Sequence, residues 1–406
     1  MNILLINHYA GSDKYGMEYR PYYLAREWVK LGHNVTIVGA SFSHLRNKQP
    51  ACREEIVDGI HYVWLPTNSY KGNGIGRILN MGLFVLQLFI RQNYILSDFV
   101  PDVVIASSTY PLEIFPEKLI AAKYKAKLVY EVHDIWPLSP MEIGKMSAQH
   151  PFIRIMQTAE DYACRHVDKI ISLLPKAEEH YLEHGLAKGK FFCVPNGVVI
   201  AENKSKVQAA SESSEECLRQ MDNWRRDNYR IVIFAGSHGK ANALDVLLSA
   251  AKYVQSRTKI VLLGDGPEKE ALQEKATNWG LKNVSFFPRV PKHEVPLYLE
   301  KADVAYIGWL SRDLYRFGIS PNKIMDYMLA KKAIIQSIDA GNDIVREAAC
   351  GISVPAGDEN KVAEAIDKMA AMPLEKLAEL GKNGYRYVTQ NHDYRVLAEK
   401  FISYIR

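Results

Sequence analysis

The sequence predicts an α/β protein made of two Rossmann-like, doubly wound domains that face each other across a cleft. The 406 residues are 48% hydrophobic and 24% charged, a composition typical of soluble proteins with two or three domains. Short apolar runs alternate with helical patterns over two stretches of similar length. Between these stretches, residues 199–228 are rich in Ser, Glu and Lys and predict a linker or a surface helix.

The first alternating series, residues 1–198, predicts the N-terminal domain. An apolar run at 2–7 lacks a helical period and predicts a buried strand. Pro21 then stands where a helix begins, and Gly32 ends the helical pattern. Such a strand and helix, followed by another strand, are typical of parallel sheets covered by helices. Further strands are predicted at 35–38, 62–65, 103–107, 128–132, 169–173 and 191–194.

The second series, residues 229–387, predicts the C-terminal domain. A last helix at about 388–406 is expected to pack back on the N-terminal domain. Ligands of doubly wound domains bind beyond the carboxyl ends of the strands, so the loops at those ends hold the candidate sites. The strands of this second domain are predicted at 230–235, 259–263, 284–287, 303–307, 333–337 and 352–354.

Charge, cysteine content and hydropathy exclude several classes of protein. The 51 basic and 46 acidic residues leave a net charge of +5, too weak a bias to predict nucleic-acid binding. The five cysteines are scattered without a C-x-x-C pair, so they indicate neither a zinc site nor a redox pair. The longest apolar stretch, 78–90, has 13 residues, whereas about 20 are needed to cross a bilayer. We therefore expect a cytoplasmic protein without a membrane span.

The loop after the first predicted strand is the first candidate site. Gly11 and Gly16 are five residues apart with the bulky Tyr15 between them, unlike the glycine-rich loop that binds dinucleotides. The loop has 13 residues, which is long for such a connection and favours a functional role. Its glycines, with Arg20 near the helix start, could hold an anion. The alternative is a solvated loop in which Glu18 pairs with Arg20.

A second cluster, Glu-Val-His-Asp-Ile-Trp-Pro, directly follows the strand at 128–132. His133 could polarise or orient a substrate hydroxyl near neutral pH, with Asp134 or Glu131 fixing its tautomer. The alternative is a structural histidine, with Asp134 capping the next helix. The turn Pro195-Asn196-Gly197 lies at the end of the same domain.

Two small-residue loops follow the first two strands of the second domain. Their free backbone N–H groups, with a basic side chain nearby, could bind phosphate. The first loop contributes Gly236, Ser237, His238 and Lys240, and the second contributes Gly264 within a common turn sequence.

The segment at 317–328 carries the strongest pattern. Ser320 is a good N-cap and Pro321 a good first helical residue, and the N–H groups of such a helix start bind a diphosphate. Asp326 lies about one and a half turns further on, within reach of a ribose. The alternative is a capped surface helix with a Lys323–Asp326 pair.

Two further features concern metal and membrane. No D-x-D occurs in the chain, so we expect no metal in the reaction. The helix predicted at 79–96 has one narrow polar stripe of Asn80, Gln87 and Arg91 on an otherwise apolar surface. It is either buried on several sides or touches a membrane or a lipid-linked acceptor.

Four segments occur in a fixed order along the chain: NHYAGSDKYGMEYRPYYLA, EVHDIWP, GDGPEKEAL with FPRVPKHEVP, and GISPNKIMDYM. Together they resemble glycosyltransferase family 4, retaining enzymes of the GT-B fold that use nucleotide sugars. The resemblance covers essentially the whole chain. It is closest to a bacterial branch that builds surface polysaccharides and transfers N-acetylfucosamine-type sugars.

The resemblance implies which residues bind which substrate. The first domain would hold the acceptor, with the 11–16 loop and His133 facing the reacting carbon. Glu18 and Asp134 are further catalytic candidates, and Arg20 and Arg316 would face the acceptor or the donor sugar. The second domain would hold the donor nucleotide, with Asp326 at the ribose and the diphosphate at Ile319, Ser320, Asn322 and Lys323.

Two departures from the family pattern bear on the site. The family's glutamate pair falls at Gly318 and Asp326, so the donor-sugar contact of the first glutamate is missing. The family's Arg and Lys for the diphosphate fall near Ser237 and Asn242. The sequence leaves open which basic residue replaces them: Lys240, Arg289, Arg312, Arg316 or Lys323.

The resemblance implies a hexosyltransferase that needs no cofactor. It would move a sugar from a UDP-sugar to a lipid-linked saccharide during synthesis of an O antigen or capsule, at the inner face of the membrane. A UDP-sugar epimerase of the same fold is one alternative, although it needs acid and base carboxylates at the sugar. A non-catalytic carbohydrate-binding subunit is another, favoured by the missing glutamate and basic pair.

Overall fold

A computed structural model describes residues 1–16, 19–72, 74–200 and 211–406 of the chain. The chain divides into two compact units, and it enters the first of them three times. Unit 1 consists of Met1–Val199, Phe317–Ser320 and Tyr394–Arg406. Unit 2 consists of Ile200–Arg316 and Pro321–Asp393.

Unit 1 is built on an eight-stranded sheet. Its strands are β1 (Asn2–Ile6), β2 (Asn34–Ala40), β3 (Glu54–Val57), β4 (Ile60–Leu65), β5 (Val103–Ala106), β6 (Lys127–Val132), β7 (Lys169–Ser172) and β8 (Phe191–Cys193). They are arranged in the order β3-β4-β2-β1-β5-β6-β7-β8, and only the β3–β4 pair is antiparallel. The buried central strands are apolar because helices cover both faces of such a sheet.

The helices of unit 1 follow the strands in the alternation that the sequence predicts. They are α1 (Tyr19–Lys30), α2 (Ile75–Ile90), α3 (Gln92–Ile95), α4 (Ile114–Tyr124), α5 (Leu138–Glu142), α6 (Pro151–His166) and α7 (Glu178–Glu183). A short 3-10 turn, Pro111–Glu113, leads into α4.

Unit 2 contains a six-stranded parallel sheet in the order β11-β10-β9-β12-β13-β14. These strands are β9 (Arg230–Ala235), β10 (Thr258–Leu263), β11 (Val284–Phe287), β12 (Val304–Gly308), β13 (Ala333–Ser337) and β14 (Gly351–Val354). The helices are α8 (Glu212–Arg226), α9 (Leu244–Ala250), α10 (Lys269–Asn278), α11 (Val295–Lys301), α12 (Asn322–Leu329), α13 (Ile344–Glu347), α14 (Glu359–Ala370) and α15 (Leu374–Asn391). Three 3-10 turns lie at Lys240–Asn242, Lys292–Glu294 and Asp313–Phe317.

The last helix of the chain, α16 (Tyr394–Ile405), packs in unit 1. The Trp28 indole N–H donates a hydrogen bond to the Ala398 carbonyl over 3.2 Å, and the Trp28 and Phe401 rings lie 5.0 Å apart. Both rings are fully buried. The helix starts at Tyr394, six residues later than the sequence predicts, because α15 runs on to Asn391.

The segment predicted as a linker or a surface helix includes the helix α8, which contacts α11 and β9 of unit 2. The sequence did not predict β3, an edge strand joined to β4 by Asp58 and Gly59, both with positive φ. Asp-Gly between two strands is a strong hairpin signal. The charged residues of the strand, Glu54 and Glu55, concealed it.

Candidate functional site

The loops after β9 and β10 in unit 2 approach each other too closely for side chains. A Cβ on Gly264 would lie 1.9 Å from the carbonyl oxygen of Gly236, and φ at Gly264 is +143°. The His238 N–H donates to the Asp265 carbonyl over 2.8 Å and joins the two loops. This contact therefore requires Gly264, and the two glycines leave open backbone at the carboxyl edge of the sheet.

A cavity of about 410 Å³ lies at this edge of unit 2. Its volume is within the range of small-molecule sites. Arg289 and Lys292 are its basic residues, and the remaining lining is small or apolar apart from Ser237 and Asp265. The lining residues are Ala235, Gly236, Ser237, Leu263, Gly264, Asp265, Arg289, Val290, Lys292 and Val295.

His238 does not belong to the surface of this cavity, contrary to the sequence prediction. Its side chain is fully buried, and neither ring nitrogen has a hydrogen-bond partner among the described residues. Burial, together with the Lys269 charge, lowers the pKa of His238 to about 4. The ring is neutral at pH 7 and packs near Phe234 and Phe286 in the interior of unit 2. It therefore anchors the loop after β9 to the core.

The helix predicted to receive a diphosphate begins later than the sequence predicts. The N-cap position of α12 is Pro321, and Asn322 is its exposed first residue. The Ser320 hydroxyl accepts a hydrogen bond from the Asn196 backbone N–H over 2.7 Å, and the Asn196 side-chain amide donates to the Ser320 carbonyl over 2.8 Å. Ser320 therefore is not the N-cap. With the buried Ile319, it belongs to unit 1.

Lys323 lies beside Gly236 at the start of α12. A Cβ on Gly236 would come within 2.5 Å of the Lys323 side chain. The ammonium group donates to the Asn242 side-chain oxygen over 2.6 Å and lies 4.6 Å from the centre of the Phe234 ring. Burial lowers the pKa of Lys323 to about 8, so the group is largely charged at pH 7. The predicted Lys323–Asp326 pair does not form.

Asp326 is half-buried on α12 and has no side-chain hydrogen bond to a described residue. Burial raises the pKa of this carboxyl group, and the positive charge of Lys292 opposes that increase. Lys292, which lines the cavity, is therefore close enough to Asp326 for its charge to act on that carboxyl group. Lys292 was not among the residues predicted from the sequence, although it lies three residues after Arg289 beyond the carboxyl end of β11.

Two basic candidates lie elsewhere in unit 2. Lys240 is exposed and lines a separate cavity of about 230 Å³ together with Glu268 and Lys275. Arg316 is exposed in a 3-10 turn and donates to the Asp313 carbonyl over 2.7 Å. Neither residue lines the cavity that contains Arg289 and Lys292.

In unit 1, Glu131 is the centre of a buried polar network. Its carboxylate pairs with Arg20 over 2.9 Å and accepts a hydrogen bond from the Ser107 hydroxyl over 2.5 Å. Burial alone would raise the pKa of Glu131, but Arg20, His133 and Ser107 outweigh it and lower that pKa to about 2. Arg20 also donates to the carbonyls of Val194 and Pro195. Arg20, predicted to face the acceptor or the donor sugar, is therefore buried and paired within unit 1.

His133 follows β6 directly, and its side chain is 9% exposed. Its Nε2 lies 3.1 Å from the Ser107 hydroxyl and 3.4 Å from the Glu131 carboxylate. Glu131, one of the two predicted tautomer-fixing residues, is thus in place. Asp134 is exposed, and its carboxylate accepts no hydrogen bond from a described residue. It also does not cap the next helix, whose N-cap is Pro137.

Most of the 11–16 loop is buried in unit 1, and only Asp13 and Lys14 of its six residues are exposed. The Gly11 carbonyl accepts a hydrogen bond from the Tyr62 hydroxyl over 2.9 Å. Tyr15 is 2% exposed, and its ring meets Trp64 edge-on, so this predicted sugar-loop residue is a core residue. Gly16 has φ +79° and adjoins Asn47 too closely for a Cβ. Glu18 lies outside the described residues.

The helix predicted at 79–96 is divided into α2 and α3. The polar stripe is not its solvent face: Asn80 is fully buried, and its side-chain oxygen lies 2.6 Å from His8 Nε2. A second set of apolar residues forms the exposed face instead, with Leu79 63%, Leu86 51% and Ile90 69% accessible. In the part of the chain that the structure describes, no helix has the length and apolar character to cross a membrane.

Comparison with known proteins assigns a family to both halves of the chain. A family model described as Glycosyl transferase 4-like domain matches residues 15–197. A second model, Glycosyl transferases group 1, matches residues 229–372. The family boundaries thus follow the two sheets.

A curated relative matches over a shorter region. WcaI of Escherichia coli, described as a colanic acid biosynthesis glycosyl transferase, is 27% identical over 139 residues. This alignment covers 34% of the present chain and 33% of WcaI.

Solved structures share the fold over nearly full length. Sucrose-phosphate synthase from Thermosynechococcus elongatus aligns with a TM-score of 0.69 and 15% identity, covering 99% of this chain and 97% of that one. Anabaena HepE in complex with UDP aligns with a TM-score of 0.67 and 15% identity, covering 99% of each chain. WaaG, a glycosyltransferase involved in lipopolysaccharide biosynthesis, aligns with a TM-score of 0.65 and 16% identity, covering 100% of this chain and 99% of WaaG. The two family models together cover most of the chain, and the protein belongs to the GT-B glycosyltransferases.

Proposed function

We propose that the protein transfers a sugar from a UDP-sugar to a lipid-linked saccharide, with retention of configuration, during synthesis of a bacterial surface polysaccharide. The cavity at the carboxyl edge of the unit 2 sheet carries this proposal. Two glycine loops open it, and Arg289 and Lys292 give it positive charge. The roles of WcaI in colanic acid biosynthesis and of WaaG in lipopolysaccharide biosynthesis favour such a pathway, and HepE was solved with UDP.

The donor nucleotide would bind in unit 2. The uracil and ribose would enter the cavity, and Asp326 would accept hydrogen bonds from the ribose hydroxyls. The diphosphate would meet the open N–H groups at the start of α12. The charge of the diphosphate would be offset by Lys292, Arg289 and Lys323. These three residues would replace the Arg and Lys that the family uses for this purpose. Lys240 is replaced in this proposal by Lys292, because Lys240 lines a different cavity.

The transfer step would rely on positioning and on stabilisation of the leaving diphosphate. In the retaining reaction implied by the family, the bond from the anomeric carbon to the phosphate oxygen breaks. The acceptor oxygen attacks the same face, and its proton passes to the released phosphate. His133, held by Ser107 and Glu131, would orient a sugar hydroxyl at the reacting carbon. We propose no metal in this step.

The acceptor would be lipid-linked, and the exposed apolar face of α2 supports this part of the proposal. Leu79, Leu86 and Ile90 present apolar surface in place of the usual polar face of a helix. The exposed Lys71 lies just before this helix. Arg77, in the first turn of α2, is a weaker candidate for contact with a lipid headgroup, because its guanidinium donates to the Tyr9 hydroxyl over 3.0 Å. The N-acetylfucosamine-type donor sugar rests on the sequence resemblance alone.

Calorimetric titration of the full chain with UDP tests the donor site. Lys292→Ala should weaken UDP binding about tenfold or more, because a charge-assisted hydrogen bond contributes about 1.5–3 kcal/mol. Lys240→Ala is the matched control, since it removes the same charge at the neighbouring cavity. Equal affinity of wild type and Lys292→Ala, or loss of binding only in Lys240→Ala, would remove this cavity from the proposal.

Incubation with UDP-sugars in the absence of acceptor separates the transferase from the other candidate activities. A transferase leaves the sugar of the UDP-sugar unchanged, whereas an epimerase converts it into a second UDP-sugar. A non-catalytic subunit would bind UDP-sugar but form no glycosylated lipid when the acceptor is added. Chromatography of the nucleotide sugars and of the lipid fraction distinguishes the three.

A further inference from the structure

A cluster of histidines and carboxylates lies on unit 1, separate from the Glu131 network. Glu160 and Asp161 are on α6, His180 is on α7, and His184 is the C-cap residue of α7. Glu160 is fully buried, and the His180 side chain is only 10% exposed. Among the residues that the structure describes, Glu160, His180 and His184 form the one His, Cys, Asp or Glu group whose ligand atoms all lie within 4.8 Å of each other.

The geometry of this cluster suits a tetrahedral metal ion. His180 and His184 are four residues apart around one turn, so both rings lie on the same face of α7. His180 Nε2 is 3.0 Å from the Glu160 carboxylate, close to the separation of about 3.4 Å between ligands in a tetrahedral zinc site. The ring centres of His180 and His184 are 4.5 Å apart. Small rotations of the side chains would complete the ligand set.

Hydrogen bonds and close contacts among polar groups surround this cluster. The Gln157 amide nitrogen lies 2.9 Å from Glu160 and 2.8 Å from Asp161, and it donates to both carboxylates. The same nitrogen is 3.0 Å from His184 Nδ1, which is itself 2.8 Å from the Asp161 carboxylate. When His184 donates to Asp161, two nitrogen donors therefore face each other.

The charges of the cluster also call for a cation. Two carboxylates lie here, and among the described residues the arginine or lysine paired with them is Arg165, 3.6 Å from Asp161. Glu160, the buried carboxylate, has His180 and Gln157 as its partners in the described chain, and neither brings a permanent positive charge. A buried carboxylate is costly unless a positive charge lies close to it. A divalent ion between Glu160 and the two histidines would supply that charge.

We propose that Glu160, His180 and His184 bind Zn²⁺. Two imidazoles and one carboxylate are a common ligand set for this ion, and no thiolate is needed. The ion would join α6 to α7. It would also brace the 317–320 segment, because the Phe317 ring lies 5.5 Å from His180 and its carbonyl accepts the Lys176 N–H over 2.9 Å.

Zinc titration of the full chain, stripped with chelator and followed by calorimetry and elemental analysis, tests this site. We expect one Zn²⁺ per chain and a melting temperature that rises with zinc. His184→Gln should weaken zinc binding at least about tenfold, because even outer partners of a zinc site contribute tenfold or more. His184 is partly exposed, so this variant should fold. His166→Gln, at the end of α6 and bonded to the Tyr162 carbonyl, is the matched control.

Hydrogen exchange adds a readout that surface binding of zinc would not change. Zinc should increase protection in residues 176–184 and 317–320 of the wild type and of His166→Gln, but not of His184→Gln. Wild-type zinc affinity in His184→Gln would overturn the proposal. So would the absence of zinc binding by the wild type, or zinc binding that leaves exchange in both segments unchanged.

Discussion

At the scale of single residues, Glu131 organises the polar groups of unit 1. It lies 111 residues from Arg20 in the chain and yet shares a buried ion pair with it. Its pKa of about 2 keeps the carboxylate charged throughout the physiological range. The charged carboxylate acts as an acceptor toward His133 and Ser107. The network thus fixes His133 in one orientation, as an orienting group requires.

His133→Ala tests the proposed role of that side chain. Turnover should fall about a hundredfold or more, in the range typical of a positioned acid or base, while UDP affinity stays within about twofold. The reason is that His133 lies in unit 1, whereas the proposed nucleotide residues lie in unit 2. Steady-state kinetics and UDP calorimetry on the same preparation measure both effects. Asp134→Asn is the control, and it should change neither quantity. Wild-type turnover of His133→Ala would make His133 a structural residue.

At the scale of elements, α2 is apolar on its exposed face as well as on its buried face. Asn80 faces inward because its amide meets His8, whose pKa is lowered to about 3 by burial despite the Asn80 hydrogen bond. The neutral imidazole and the amide satisfy each other without a charge. Leu88 is buried on the inner face, whereas Leu79 and Leu86 remain at the surface.

Leu79→Ser combined with Leu86→Ser should reduce binding to anionic lipid vesicles about tenfold or more. Each buried leucine contributes about 1.5–3 kcal/mol relative to an exposed one. Co-sedimentation with vesicles of phosphatidylglycerol and phosphatidylethanolamine measures the binding. Leu119→Ser, on α4 and 53% exposed, is the matched control. If the double variant and the control bind vesicles as the wild type does, α2 does not meet the membrane.

The start of α4 contains two buried carboxyl groups, Glu113 and Glu117. Neither Glu117 oxygen has a hydrogen-bond partner in the described chain. Burial raises the pKa of Glu113 to about 8, and burial together with Glu113 raises the pKa of Glu117 well above its usual range. The folded state therefore holds more protons than the unfolded state above pH 4.5. The free energy of unfolding falls as pH rises through this window.

Glu117→Gln should stabilise the protein more at pH 8 than at pH 5. At pH 5 the amide replaces a protonated carboxyl group of the same shape, and little changes. At pH 8 it removes a group whose ionisation favours unfolding, and a gain of about 1–2 kcal/mol is expected. Urea unfolding at the two pH values measures this, with the exposed Glu375→Gln as control. An equal effect of Glu117→Gln at both pH values would contradict the raised pKa.

At the scale of the whole molecule, the chain leaves unit 1 and returns to it twice. The last return places α16 against α1, where Leu397, Phe401 and Ile402 are buried with Trp28. The first domain is therefore not continuous in sequence, and its core is completed only by the last residues of the chain.

Phe401→Ala should lower the free energy of unfolding of unit 1 by about 3–5 kcal/mol, the cost of removing a buried phenyl ring. Calorimetry or urea unfolding followed by Trp28 fluorescence measures the loss. Glu399→Ala, exposed on the same helix, should cost far less. A loss under 1 kcal/mol in Phe401→Ala would show that α16 contributes little to the core.

The sequence by itself predicted the alternating strands, the glycine loops at their carboxyl ends and the place of His133 directly after a strand. These features are local: an apolar run, a turn residue and the end of a strand can be identified in a few adjacent residues. Tertiary structure alone decided which polar side chains are buried and which groups they pair with. Arg20 pairs with Glu131 across 111 residues, and Ser320 pairs with Asn196 across 124. A buried polar group must find a partner wherever the fold brings one near, so its role depends on distant residues.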